Sequence, residues 1–552
     1  MKAPALGWQL LLTFLLSLAA LTGLIGWLQN VDIITSNGLY KAIEAEPWIS
    51  DFRHARLDPS NYLYFPLYGA LAHLLDLVGF RRGVAYEQFA YLNAFFASLG
   101  CVFVYGFVHR LTGRVVVAVA ATLFHFGTGF FLLLGVVNED IMPGYVLVLA
   151  SMLMAALWFD RPTWRQIVAV AVVFTLGWMV EWRLMFPTLP ALGLALLLSD
   201  GNWKTRALRV GALLAAIVAT AGIVQQIWEG HNGAMGLPDL LWTGKGVSSG
   251  WAGIGWDKAW MMLSGVGNYF LILGGFVDPL SARRAMAPLL VSILIQGAIF
   301  IGCAVVLWPR RHDRRLRTTA IVFLGTLGAG QVMNFYSQPQ DPQMQINVMP
   351  WLTVAWALLV AALSARRHIA IAALVLSCVP LAWNAHALSQ WRGQDAAHMA
   401  ALTALKRDFP PDTTVYVYWG FEPITTWHFL LWGHDWDMDG AGALDPAPAE
   451  KPGFKWIAID SGAIRHSQWT PEQHAQAIKW DIDLALDRGY RVIVSDMWTW
   501  SVDELAGQLG SLSASARAPA IYAVLHDNYE ASPVFSGGIA GTYYELRRKS
   551  PH

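Results

Sequence analysis

Residues 287–317 read APLLVSILIQGAIFIGCAVVLWPRRHDRRLR. The first 22 positions, 287–308, hold no charged side chain, and a run of about 20 mostly apolar residues is what one helix needs to cross the hydrocarbon core of a bilayer. The run stops abruptly at Arg310, Arg311, Arg314, Arg315 and Arg317. Short loops so rich in arginine are retained on the cytoplasmic side of a membrane. This stretch therefore predicts both a spanning helix and its direction.

Working outward, similar runs centre in 8–28, 88–108, 115–135, 142–159, 165–180, 185–199, 207–227, 317–335, 347–364 and 368–386, which makes eleven candidate spans with 287–308. The composition agrees: 55% of the 552 residues are hydrophobic and only 14% charged, too apolar for an ordinary water-soluble chain of this length. Lys+Arg and Asp+Glu are equal at 38 each, so nucleic acid is not an expected partner. Cys101, Cys303 and Cys378 all lie in apolar runs without metal-ligand spacing and read as small core hydrophobes.

With eleven spans and a cytoplasmic N-terminus, the inside loops carry Arg110 and Arg114, then Arg161 and Arg165, then Lys204, Arg206 and Arg209, then the 309–317 loop, and finally Arg366 and Arg367. Every inside loop is basic. Two shorter apolar stretches, 62–80 and 260–277, are assigned to helices in the outer interface, because counting only the first as a span would move the 309–317 loop outside. Tyr62, Tyr64 and Tyr68 suit the aromatic belt of a membrane surface. Leu6 to Leu28 is longer than the apolar core of a secretory signal and is read as an uncleaved first span. The expected compartment is an inner or plasma membrane crossed many times.

From about Gln390 the pattern changes to short β-rich runs at 414–419, 456–460 and 490–494 with a helical stretch at 472–487. The fold class expected is a polytopic α-helical membrane protein, residues 1–389, followed by an α/β domain, residues 390–552, placed outside the cytoplasm by the odd span count. The aromatic-rich strip Trp419, Trp427, His428, Trp432, His434 and Trp436 is read as that domain's core.

The unusual polar residues gather in the outside loops. The first holds EAEPWISDFRHARLDPSNYLYFPLYGAL from Glu44 to Leu71, with Asp51, Arg53, His54 and Asp58. A carboxylate just above lipid can be a general base, since partial desolvation raises its proton affinity, and Asp51 is the first choice; capping of a following short helix is the alternative, and Asp58-Pro59 reads as a turn. The second outside loop places Asn138, Glu139 and Asp140 between two apolar runs. Adjacent acids at the lip of a span either face a polar cavity or cap the next helix, with Pro143 in its first turn. Glu181 and Arg183 share another tight turn, where they could neutralise each other or Arg183 could grip a phosphate through two oxygens. Lys245 lies in a long Gly- and Trp-rich loop, and the last outside loop, 334–347, carries Gln343 and Gln345 among further amides. Amides bond sugar hydroxyls at little desolvation cost; a polar turn is the alternative.

This arrangement resembles the GT-C superfamily of membrane glycosyltransferases, the group that includes protein O-mannosyltransferases and aminoarabinose transferases. The resemblance covers about the first 390 residues. It is carried by Asp51 in a long first outside loop, by the NYLYFPLYGAL segment in place of an HPPL-like run, by Glu139-Asp140, and by QDPQMQINVMP ending at Pro350. It departs from the family where Phe52 follows Asp51 instead of a second acid, and where Gln345 and Asn347 stand in place of a basic residue before the late proline.

What the resemblance implies is a polyprenyl-phosphate-linked sugar as donor, Asp51 as the base that activates the acceptor, and Glu139 and Asp140 positioning acceptor or donor, or joining Asp51 on a divalent metal where the branch uses one. Arg53, Arg183, Lys245, Arg283 and Arg284 are then the candidate phosphate ligands, with His54 and Asp58 beside them. The acceptor class, whether glycan, lipid or protein, stays open. Two other readings are carried: a transporter or flippase of lipid-linked sugars, which would need polar groups at span midpoints where little but His125 and Gln296 occurs, and a non-catalytic envelope assembly protein. No GxGxxG sequence calls for a nucleotide-sugar donor.

Overall fold

The computed structural model describes residues 6–29, 62–80, 85–181, 185–232, 256–273, 286–336, 339–364, 367–410, 412–418, 455–459, 469–508, 516–538 and 541–550. These form two compact units, one of helices up to Arg392 and one from Gly393 onward.

The first unit runs α1 (Leu6–Leu28), α2 (Tyr64–Leu77), α3 (Ala85–Thr112), α4 (Val115–Gly127), α5 (Gly129–Leu134), α6 (Ile141–Trp158), α7 (Trp164–Val180), α8 (Thr188–Leu197), α9 (Trp203–Asn232), α10 (Trp256–Phe270), α11 (Met286–Leu307), α12 (Arg314–Tyr336), α13 (Pro350–Leu363) and α14 (Arg367–Ser389). Helices occupy all eleven expected stretches. Among the described residues, six helical stretches are long and apolar enough to cross a membrane: Leu6–Leu28, Gln88–Thr112, Ile141–Trp158, Trp203–Gln226, Met286–Arg310 and His368–Asp408. The chain is a multi-pass membrane protein.

Burial separates the centre of this unit from its rim. In Ile141–Trp158, 72% of the most apolar stretch is buried, against 17% in Leu6–Leu28. A helix apolar all round belongs inside, and α6 buries residues on every face, from Met142 and Tyr145 to Leu149, Met152 and Ala156. Around the rim, α11 exposes Leu290, Leu294, Ile301 and Val305, and α14 exposes Ile371, Val375 and Val379. Such rows of large apolar side chains suit a lipid solvent.

Several of the expected spans are too short for a crossing, α4 with 13 residues among them. α8 has 10 residues and α13 has 14, about 15 and 21 Å at 1.5 Å per residue, against a core of about 30 Å. Before α13 the chain continues as the 3-10 turn Pro342–Gln345 and a turn in which Gln345, Ile346, Asn347, Val348 and Met349 are all buried. Irregular backbone survives at such depth only when it is enclosed by protein or lines a polar cavity.

Most of the described basic residues of this unit, Lys258 and Arg392 excepted, collect at one end. Arg114, at the start of α4, donates to Ala361 O near the end of α13 at 2.8 Å; Arg317, at the start of α12, reaches Leu198 O after α8 at 3.5 Å; and Arg209 pairs with Asp200 at 3.2 Å. Asp200 N donates to Asp160 O after α6 at 3.2 Å. The starts of α6, α8 and α13 and the end of α12 therefore lie together at the opposite end.

The second unit contains α15 (Gln394–Asp408), β1 (Thr414–Tyr418), β2 (Lys455–Ala458), α16 (Pro471–Asp487), β3 (Arg491–Val494), α17 (Val502–Gln508), α18 (Ala518–Asn528), β4 (Tyr529–Ser536) and β5 (Thr542–Arg548). The sheet order is β2-β1-β3-β5-β4, with β1 parallel to β2 and β3 and the β4–β5 hairpin antiparallel. Thr470 and Gln473 close a capping box at the start of α16. Val415, Val417, Ile457, Val492 and Val494 pack on Ala475, Ile478, Ile482 and Ala485 of α16, while the alternate positions Tyr416 and Tyr418 stack on the other face at 6.0 Å. β1 is thus buried on both sides, as a central parallel strand must be. The aromatic strip 419–436 lies outside the described residues.

Candidate functional site

Two glycines explain how acids far apart in sequence come together. A Cβ on Gly144 of α6 would stand 3.0 Å from Gly177 O, and one on Gly177 of α7 would stand 2.9 Å from Gly144 O. Small residues let helix backbones approach this closely. One turn from that crossing, in the same direction on antiparallel helices, lie Asp140 before α6 and Glu181 after α7. Glu181 Cβ is only 3.2 Å from the Cβ position of Gly144. Glu139, Asp140 and Glu181 are 1%, 2% and 1% exposed, so three carboxyls are enclosed at the end opposite the arginines.

The turn that carries the first two is held from outside. Asn93 on α3 donates to Val137 O at 2.8 Å and Glu139 O at 2.7 Å, and its Oδ1 accepts from Tyr68 Oη on α2. Asp140 occupies the N-cap position of α6, but its side chain makes no capping hydrogen bond; helix capping therefore does not account for it. Tyr62, Tyr64 and Tyr68, expected in the surface belt, are instead buried. Tyr64 stacks on Tyr68 at 4.5 Å, and the Asn93 bond draws Tyr68 inward.

The second polar group is built on α12 and the turn before α13. A Cβ on Gly330 would fall 1.8 Å from Val348 Cγ1, so the absence of a side chain there lets the turn press against α12. Gln331 Nε2 then donates to Gln345 Oε1, and Asn334 Nδ2 to Met344 O at 3.1 Å. Asn347 Nδ2 reaches Thr188 Oγ1, at the start of α8, at 3.5 Å. Asn334, Gln345 and Asn347 are 1%, 0% and 1% exposed. Even so, Gln331 Oε1, Asn334 Oδ1, Gln345 Nε2 and Asn347 Oδ1 have no hydrogen-bond partner among the described residues. Each buried unmet group costs about 1–3 kcal/mol, a cost that a polar ligand would remove. Gln343 is committed differently: its Nε2 donates to Asp341 Oδ2 at 2.6 Å and its backbone N to Asp341 Oδ1 at 3.0 Å.

Deeper in the bundle, His125 of α4 bridges Thr353 Oγ1 and Tyr145 Oη, each 3.0 Å from one ring nitrogen. On α14, Asn384 donates to Gly127 O at 2.7 Å and Phe270 O at 3.0 Å and accepts from Ile272 N at 2.7 Å. Both are structural ties across helices. Lys258 on α10 is also buried and donates to Tyr336 O at 2.7 Å.

Of the residues singled out from the sequence, Glu139, Asp140, Gln343 and Gln345 are placed at this end. Asp51, Arg53, His54, Asp58, Arg183, Lys245, Arg283 and Arg284 lie outside the described residues. Among the described residues no group of three or more His, Cys, Asp or Glu could hold a metal ion. Of the three carboxylates named for a cation, Glu139 and Asp140 are described and Asp51 lies outside the described residues. Asn93 and Gln331 escaped the sequence reading, and Tyr68 entered it only as part of the surface belt. Gln331 sits inside an expected span, and its amide there was the available signal.

No family model and no curated protein matches the chain. Among solved structures it is similar to that of ArnT from Cupriavidus metallidurans bound to undecaprenyl phosphate, at 13% identity and a TM-score of 0.48, and to the apo state of the same protein, at 15% identity and 0.42; each covers 98% of both chains.

Proposed function

We propose that this protein is a glycosyltransferase that moves a sugar from a polyprenyl-phosphate-linked donor to an acceptor at the outer membrane face. The observation that carries the reading is the segregation of charge within one helical unit. Enclosed carboxyls and amides occupy one end, and the arginines that favour the cytoplasm occupy the other. A donor whose lipid lies in the bilayer and whose head group lies at its surface would meet that polar end directly. The layout of Asp51, Glu139-Asp140 and the segment ending at Pro350 supports the same reading through its likeness to the GT-C superfamily.

The reaction is an inverting displacement. Asp51 takes the proton of the acceptor hydroxyl as its oxygen bonds the anomeric carbon, and the bond from that carbon to the phosphate oxygen breaks, releasing polyprenyl phosphate. Fixed cations drawn from Arg53, Arg183 and Lys245 stabilise the departing phosphate. Glu139 and Asp140, on the turn held by Asn93 and beside the Gly144–Gly177 contact, orient acceptor or donor, and His54, Asp58 and Gln345 are further substrate-binding residues of this reading.

A transporter of lipid-linked sugars would line a path through the bundle with available polar groups. Of the polar groups at span midpoints, both ring nitrogens of His125 are bonded to protein, and Gln296 Nε2 donates to Val266 O and Ser292 Oγ while its Oε1 alone has no partner among the described residues; so few available groups favour a site at one end. The test is transfer of radiolabelled sugar from a panel of polyprenyl-phosphate donors by the purified full-length protein, beside Asp51→Asn and Glu139→Gln. Transfer that disappears in Asp51→Asn is the expected result. Full transfer by a well-folded Asp51→Asn would remove Asp51 as the base.

A further inference from the structure

Resting on the donor reading above, the geometry points to a subsite for the donor's sugar ring, as distinct from its lipid phosphate, in the seam between α12 and the turn before α13, formed by Gln331, Asn334 and Gln345. Gln331 and Asn334 are three residues apart and so share a face of α12. Both bond the same turn, Gln331 through the side chain of Gln345 and Asn334 through the carbonyl of the preceding Met344. Each amide thus uses one of its polar atoms to close the seam and leaves the other, Gln331 Oε1, Asn334 Oδ1 and Gln345 Nε2, without a partner among the described residues.

The chemistry of those three atoms identifies the ligand class. Two acceptors and one donor face unmet, and rotating the Gln331–Gln345 pair to exchange oxygen and nitrogen still leaves one donor and one acceptor from that pair. A phosphate offers acceptors only and would satisfy the donor alone. An ammonium group offers donors only and would leave the amide N–H unmet. A hydroxyl is donor and acceptor at once, so vicinal hydroxyls of a sugar match the set. Charge agrees, since no acid or base is among the three, and Lys258 on the adjoining α10 donates to the Tyr336 carbonyl. Gly330 makes the seam possible, because any side chain there would drive Val348 away and part Gln345 from Gln331.

The test is equilibrium binding to full-length protein of two lipids, a polyprenyl phosphate and the same lipid phosphate carrying a hexose, with wild type, Gln331→Met/Gln345→Met and Asn334→Leu. Wild type is expected to bind the sugar-bearing lipid at least about tenfold more tightly than the bare phosphate. The double variant should bring that ratio close to one while binding of the bare phosphate is unchanged and the melting temperature is equal or higher, since replacing both members of a buried amide pair removes unmet groups. A ratio unchanged in both variants, or bare-phosphate binding that falls in step, overturns the sugar subsite. Wild type that binds the two lipids equally overturns the subsite alone, whereas wild type that binds neither overturns the lipid-donor reading and this assignment with it.

Discussion

Acids in the two units of this chain are used in opposite ways. In the sheet unit, Asp483 on α16 is met by Arg548 Nε at 2.8 Å, by Tyr529 Oη at 3.1 Å and by Lys479, and Arg548 also reaches Asp487 at 2.6 Å. All sit at a partly exposed surface, and the paired charges clip the last strand to the crossover helix. In the helical unit, Glu139, Asp140 and Glu181 are enclosed, on a scaffold that includes the amide of Asn93, the hydroxyl of Tyr68 and two glycines. Charge that is neutralised locally stabilises a fold. Acids gathered in an enclosed polar region are the more common mark of a functional site.

The comparison breaks most severely at the helix crossing. Gly177→Val inserts its Cβ 2.9 Å from Gly144 O, Leu147 Cβ and Val148 Cγ2 and should cost about 3 kcal/mol. It should appear as a lower melting temperature together with lost transfer, because the acids separate. Gly330→Ala comes next, at about 2 kcal/mol, with a specific rescue: Val348→Ala in the same chain removes the clashing methyl groups and should recover most of the loss, a coupling that a double-mutant cycle would read.

In the sheet unit the expected effects are smaller and leave transfer untouched. Asp483→Asn should cost about 1 kcal/mol, as for a partly exposed network of several charges, and show as faster hydrogen exchange in α16 and β5. Burial pushes the Asp483 carboxyl up, but hydrogen bonds from Lys479, Arg548 and Tyr529 together hold it below the ordinary carboxylate value. The hydrogen bond from Arg491 does the same for Glu545. A carboxyl depressed in the folded state contributes stability that is complete above its unfolded value near pH 4 and is lost as pH falls through the folded value. Protection in β5, corrected for intrinsic exchange, should therefore hold from pH 7 to about pH 5 and decline below pH 4.

The smallest effect has the opposite sign. Burial raises the Asp496 carboxyl, so its contribution is greatest at acid pH and fades as pH rises through the folded value. Asp496→Asn should match wild type within about 0.5 kcal/mol, on the stabilising side at neutral pH.

Much of the architecture was legible because it follows from one-dimensional pattern. Long apolar runs gave the helices, and short β-rich runs around a helical stretch gave β1, β2, β3 and α16 within a residue or two. The β4–β5 hairpin was missed because its strands are half-exposed and Pro533 interrupts the β pattern at a register shift. The short lengths of α8 and α13 were missed too, since apolar residues in enclosed turns look the same as apolar residues in helices. At the site, Glu139 and Asp140 stood out as charges between apolar runs. Their pairing with Glu181 was hidden, because it depends on a glycine contact across 33 residues of sequence. Asn93 and Gln331 were hidden for a related reason: one amide inside an apolar run is a small perturbation of hydropathy, and its role appears only when the facing turn is in place.

The most direct test is the initial rate of sugar transfer from a polyprenyl-phosphate donor, per mole of folded full-length protein, for wild type, Asp140→Asn and Asp483→Asn together. The account predicts turnover by wild type, a loss of about 100-fold in Asp140→Asn with little change in melting temperature, and an unchanged rate in Asp483→Asn despite its lower stability. An unaffected rate in folded Asp140→Asn, a collapse in Asp483→Asn, or no transfer from any donor by wild type would contradict it.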